Sequence, residues 1–177
     1  MKKIIMLFLT IVMMAFSSVC NAAEVPLNEE LGPDGLIEAF NNIAIKNNDT
    51  TRFVSIEQKD YSYNGEKCFV IKTNANASYN NLLIIYSNAA GYIVEIIDYV
   101  VANNNEANMA LMHQTLLLQR TISAPEGPET ANGMFAAIDA LKIGHGMYWS
   151  EYTGRRYLLK TVSSNNAIGI DMRAIDQ

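Results

Sequence analysis

Apolar positions along this chain change period several times, and each change marks an element. Leu36, Ile37, Phe40, Ile43 and Ala44 fall at i, i+1, i+4, i+7 and i+8, the stripe of an amphipathic helix entered at Pro33. Runs of strand formers follow at 52–58 (RFVSIEQ), 66–73 (EKCFVIKT), 81–87 (NLLIIYS) and 91–101 (GYIVEIIDYVV). The third is a continuous apolar run of the kind a central strand shows. Residues 105–122 hold neither glycine nor proline and carry apolar side chains nearly all round a helical projection, which predicts a well-buried helix. A cleaner stripe at Ala131, Met134, Phe135, Ile138 and Leu141 predicts a further helix from Pro128 to Lys142, ended by the Gly-His-Gly of 144–146. The remaining residues read as a three-stranded meander: MYWSEY, RRYLLKTV and AIGIDMRAI.

The expected fold class is therefore α+β, with antiparallel meanders packed against amphipathic helices in the order α-β-β-β-β-α-α-β-β-β. Two stretches of similar make, YNGEKCFVIKT at 63–73 and YTGRRYLLKT at 152–161, would each form the first hairpin of a meander. The chain thus reads as two helix-plus-meander units, a candidate duplication. Asn64-Gly65 and Thr153-Gly154 are expected as two-residue turns in which glycine takes positive φ. Asparagine pairs such as Asn47-Asn48 and Asn165-Asn166 fall where turns are expected. In architecture alone, this order resembles cystatin-like domains and tandem-repeat β-lactamase inhibitor proteins, a likeness that implies no function.

The first residues stand apart. Lys2 and Lys3, an apolar run from Ile4 to Phe16 and a small-residue end to Ala22 have the form of a secretory signal, too short to span a bilayer. The reading is 1–22 signal peptide cleaved near Ala22, 23–32 polar leader and 33–177 one domain, in a secreted or periplasmic bacterial protein with no stable membrane span. Losing Lys2 and Lys3 leaves eleven basic residues against eighteen acids, a net charge of −7, with no basic run to bind nucleic acid. Cys20 leaves with the signal, so Cys68 has no partner for an internal disulfide.

Candidate chemistry is sparse. No HExxH, cysteine pair, Walker loop, dinucleotide fingerprint or G-x-S-x-G turn occurs, so neither metal nor cofactor is expected. Mid-helix, His113 reads as a half-buried structural residue. His145, flanked by glycines, is a possible polar site, and a hydrolase with His145 as general base and Glu151 or Asp139 as its partner is one alternative. Tyr148, Tyr152, Arg155, Arg156 and Tyr157 form the candidate binding surface, because tyrosine and arginine carry interface energy. Alternation places Tyr148 and Tyr152 on an open face and Trp149 in the core. The main expectation is a non-enzymatic binding or accessory module that uses this Tyr/Arg-bearing sheet surface on an envelope component or another protein. A small-molecule module, with a pocket between sheet and helices near Met109, Met112 and Met134, is the other alternative.

Overall fold

The structure is a computed structural model that describes residues 25–63, 66–73, 81–101, 105–123, 128–164 and 167–175. Helix α1 (Pro33–Lys46) precedes strands β1 (Phe53–Tyr63), β2 (Glu66–Thr73), β3 (Asn81–Ser87) and β4 (Ile93–Val100). Helices α2 (Asn105–Ile122) and α3 (Pro128–Ile143) follow, then β5 (His145–Ser150), β6 (Arg155–Ser164) and β7 (Ala167–Ile175). This is the α+β order expected from the sequence. Both meanders join one antiparallel sheet, ordered β1-β2-β3-β4-β7-β6-β5. The last strands of the two meanders pair at its centre, with Ile97 opposite Asp171.

All three helices lie against one face. Leu36, Phe40 and Ala44 of α1, Leu111 and Leu118 of α2 and Ala136, Ala137 and Ala140 of α3 share a core with Ile71, Leu83, Ile85, Ile96, Val100, Tyr157 and Met172. The start of β1 is clamped to α1: the Asn41 side-chain NH2 donates to the Phe53 carbonyl at 3.1 Å, and its oxygen accepts the Phe53 N–H at 2.9 Å. Phe40 and Phe53 stack beside this clamp at 3.7 Å. Leu27, from the stretch read as a polar leader, is itself core; its N–H donates to the Ile93 carbonyl at 2.7 Å.

Three local expectations change. Helix α2 is not apolar all round on its buried side, where Gln114, Thr115 and Gln119 sit, while Met109 is largely exposed. In α3 the face against the sheet is the small one, Gly133, Ala136, Ala137 and Ala140, and Ala131 and Phe135 are exposed. The reason is backbone contact: a Cβ built on Gly146 would lie 1.9 Å from the Ala136 carbonyl oxygen, so α3 sits directly on β5 and only small side chains fit between. Finally, Ser150 pairs with Arg155, which leaves a four-residue loop, 151–154, rather than a two-residue turn. Gly154 does take positive φ there, +64°. The Asn64-Gly65 turn lies outside the described residues, as do the Asn165-Asn166 turn and the signal sequence.

Candidate functional site

Strand β5 decides which of the expected binding residues reach solvent. Gly146, Tyr148 and Ser150 face α3 and are buried, whereas His145, Met147 and Trp149 face the other way and are exposed. The expected arrangement is therefore reversed: Tyr148 is core and Trp149, at 38 % exposure, is surface. Strict alternation gave the right partition of residues, but the contact with α3 fixed which set points inward. Tyr157 is buried as well; its ring stacks on Tyr148 at 5.1 Å, its hydroxyl donates to the Leu27 carbonyl, and Thr153 Oγ1 hydrogen-bonds the same hydroxyl at 3.0 Å. The Tyr148 hydroxyl meets Ser123 Oγ at 2.5 Å. Both tyrosines hold the fold together from inside.

Tyr152, on the β5–β6 loop, and Arg155, the first residue of β6, lie elsewhere. With Asn28, Glu29, Glu30 and Thr153 they line a cleft of about 310 Å³. Arg155 is ion-paired with Glu29 across it. Arg156 is exposed on the sheet face away from the helices, directly opposite Trp149 in the β5–β6 register. Of the five residues, two are core, two line the loop cleft and one stands on the outer sheet face.

That outer face has an ordered layout. Across β3, β4, β7, β6 and β5 the register sets Tyr86, Glu95, Arg173, Leu158 and Met147 in one row and Ile84, Ile97, Asp171, Lys160 and His145 in the next. A second apolar cluster lies here, formed by Cys68, Ile84, Ile97, Tyr99 and Ala167. Among the described residues all helix contacts are on the opposite side of the sheet. His145 is exposed, and its cross-strand neighbour is Lys160 rather than a carboxylate. Asp171, the nearest carboxylate in that row, stands two strands away, about 10 Å.

The charged group at the centre of this face was not foreseen. Arg173 Nη2 donates to Glu95 Oε1 at 2.5 Å and its Nε contacts Asp171 Oδ2 at 3.2 Å. Glu95 and Asp171 are both buried. Burial, then the neighbouring Asp171, push the Glu95 carboxyl up to about 8 against the pull of Arg173. Asp171 is raised too, chiefly by burial. One guanidinium thus faces two carboxyl groups, and near neutral pH Glu95 keeps its proton. A sequence signal existed: Glu95 and Asp98 interrupt the apolar run IVEIIDYV, and an acid within a central strand needs a partner. Asp98 has its own, on the helix side, where Gln114 Nε2 donates to Oδ1 at 2.6 Å and Thr115 lies at 3.4 Å from Oδ2. Burial drives its carboxyl well above the usual range despite those bonds.

One residue before Gln114, on the exposed side of α2, His113 Nε2 lies 2.8 Å from Asp49 Oδ2. Burial raises the Asp49 carboxyl, but the Thr51 hydrogen bonds, with His113 and Arg52, outweigh it and hold the group below its ordinary value. The pair ties α2 to the α1–β1 loop. Met109 is exposed and Met112 and Met134 are half-buried. Among the described residues no group of acids, histidines and cysteines is arranged to hold a metal ion, and the buried Cys68 forms no disulfide. No described helix is long and apolar enough to cross a membrane. No family model, curated protein or solved structure matches the chain.

Proposed function

We propose that the protein is an exported bacterial binding module, without catalytic activity of its own, that engages a protein or another envelope component through the β5–β6 hairpin. The observation that carries this reading is the pairing of exposed Trp149 with exposed Arg156 on the outer sheet face, beside exposed Met147 and Lys160. Tryptophan and arginine are the side chains most often responsible for interface energy, and methionine adapts to varied apolar surfaces. Tyr152 and Arg155 at the end of the same hairpin extend the surface towards the loop cleft. The N-terminal sequence, with its basic start, apolar middle and small-residue end, supports export to the periplasm or beyond.

The test is capture from the envelope of the producing organism with three baits: wild type, Trp149→Ala with Arg156→Ala, and Tyr152→Ala with Arg155→Ala. The first pair is expected to lose a specific partner that wild type retains, and the second to weaken it. Identical profiles for all three proteins would remove the hairpin from consideration.

A further inference from the structure

We infer that the free edge of β5 is a docking strand, which takes an extended, acidic and apolar segment of another polypeptide as an eighth strand of the sheet. The inference rests on the hairpin reading above and names the mode of recognition. Three features meet at this edge. The first is hydrogen bonding. The Thr161 N–H donates to the Gly144 carbonyl at 3.0 Å, which makes that couple a hydrogen-bonded pair of the β5–β6 ladder. Such pairs alternate in an antiparallel ladder. With His145 opposite Lys160, the backbone groups of Gly146, Tyr148 and Ser150 turn to β6, and those of His145, Met147 and Trp149 turn to the open side. β5 is terminal in the sheet, so three N–H and three C=O groups line an edge that no described strand occupies.

The second feature is apolar surface on both sides of that edge. Met147 and Trp149 flank it on the outer face, at 55 % and 38 % exposure. On the helix side, α2 lies over β4 and β7 and α3 over β5 and β6. Ile143, two turns after the Ala136 that meets Gly146, stands exposed on the side of α3 that meets β5, whereas the exposed Phe135 falls on the face of α3 away from the sheet. Natural edges are blunted by charge, proline or bulges. The other edge, β1, follows that rule: two irregularities break its register and a Glu57–Lys59 ion pair stands on it. β5 has none of these devices and carries Met147 and Trp149 instead.

The third feature is charge. The outer-facing side chains of β5 and β6 are His145, Met147, Trp149, Arg156, Leu158, Lys160 and Val162, with two cations and no carboxylate, on a chain of net charge −5. In register they form a Trp149–Arg156 row, a Met147–Leu158 row and a His145–Lys160 row. An incoming strand therefore lies beside Trp149, Met147 and His145, with Arg156 and Lys160 one strand further in, about 10 Å from it. Long acidic side chains at its two end outer positions reach past Trp149 and His145 towards these cations, with an apolar residue beside Met147 between them, while its intervening side chains turn to the α3 side of the sheet. The fitting pattern is Glu-Val-Val-Val-Glu, and its symmetry suits either strand direction. Strand addition uses backbone bonds for affinity and alternate side chains for specificity.

The experiment titrates the protein with a blocked peptide containing EVVVE and follows backbone amides by NMR. Saturable shifts on β5 and α3 are expected, with slowed amide exchange at His145, Met147 and Trp149. Exchanging the glutamates for lysine should weaken binding at least tenfold, and N-methylation of alternate amides should abolish it. Met147→Pro is the decisive variant, because its N–H faces the open edge and its loss removes no β6 bond. It should fold and fail to bind; if it does not fold, Trp149→Lys serves in its place. Equal binding of the glutamate, lysine and N-methylated peptides, or no shift at β5, overturns the proposal. So does a protein that sediments as a dimer and is made monomeric by Trp149→Lys, since a second copy then occupies the edge. If an envelope partner is lost with Arg156→Ala but kept with Met147→Pro, the hairpin surface stands and strand addition does not.

Discussion

Gly146 leaves no room for a methyl group, since the first atom of any side chain would meet the Ala136 backbone at 1.9 Å. Backbone cannot swing aside as a long side chain can, so Gly146→Ala should destabilise by about 3 kcal/mol, at the upper end of overpacking costs. Gly154 offers a contrast, because nothing lies within 4 Å of its Cβ position and only its φ of +64° is at stake. Gly154→Val should cost about 1 to 3 kcal/mol through backbone strain, and Gly154→Asn well below that, because asparagine tolerates the left-handed region. Denaturant unfolding of the three variants checks both statements. Equal losses for valine and asparagine at 154 would show that the loop needs glycine for a reason other than the sign of φ.

Between elements, the pairing of β4 with β7 places a proton-dependent contact in the sheet. The Glu95 carboxyl, ordinarily near 4.5, sits at about 8 in the folded protein, with burial as the main cause. Such a group holds a proton in the native state that the unfolded chain releases, so its contribution is complete below pH 4.5 and is lost as the pH rises to about 8. Stability should therefore fall across that window by on the order of a few kcal/mol. Asp171 and Asp98, also raised by burial, act in the same direction. Asp49 opposes them, because its lowered carboxyl contributes stability that disappears as the pH falls through its folded value. Glu95→Gln should flatten the decline towards alkaline pH while leaving acid stability nearly unchanged. Thermal melts of both proteins from pH 4 to 9 provide the comparison, and parallel profiles would count against the assignment of the titration to Glu95.

For the molecule as a whole, the fold begins ahead of α1. Leu27 is 1 % exposed, its carbonyl accepts from the buried Tyr157 hydroxyl, and Asn28 Nδ2 donates to the Ile122 carbonyl at 2.9 Å. One short segment thus bonds the start of β4, the end of α2 and β6. Leu27→Ala should lower stability by about 3 kcal/mol, as for other fully buried leucines. A chain starting at Pro33 should melt below one starting at Ala23 by more than Leu27→Ala alone, because it also loses these backbone bonds. If the two chains melt together, the segment is an ornament on a fold complete without it.

By itself the sequence determined which residues pair in kind and in what order: the α+β class, the succession of four strands, two helices and three strands, and the bounds of β2, β3, α2 and β7 all follow from local period and turn chemistry. Those signals are short-range, and backbone alternation or helical spacing expresses them wherever the element lands. Orientation is different. Alternation separates Tyr148 from Trp149 but assigns neither to the inside, and the helical stripe of α3 favoured its large residues when its small ones face the sheet. Both outcomes were decided by the close approach of Ala136 to Gly146, a contact between elements that no local period encodes. The Glu95, Asp171 and Arg173 group was visible only as acids out of place in apolar strands, because its members meet through the central pairing of two strands far apart in the chain. The free edge of β5 arose in the same way. A sheet has edges only once its strand order is set, and that order belongs to the tertiary structure.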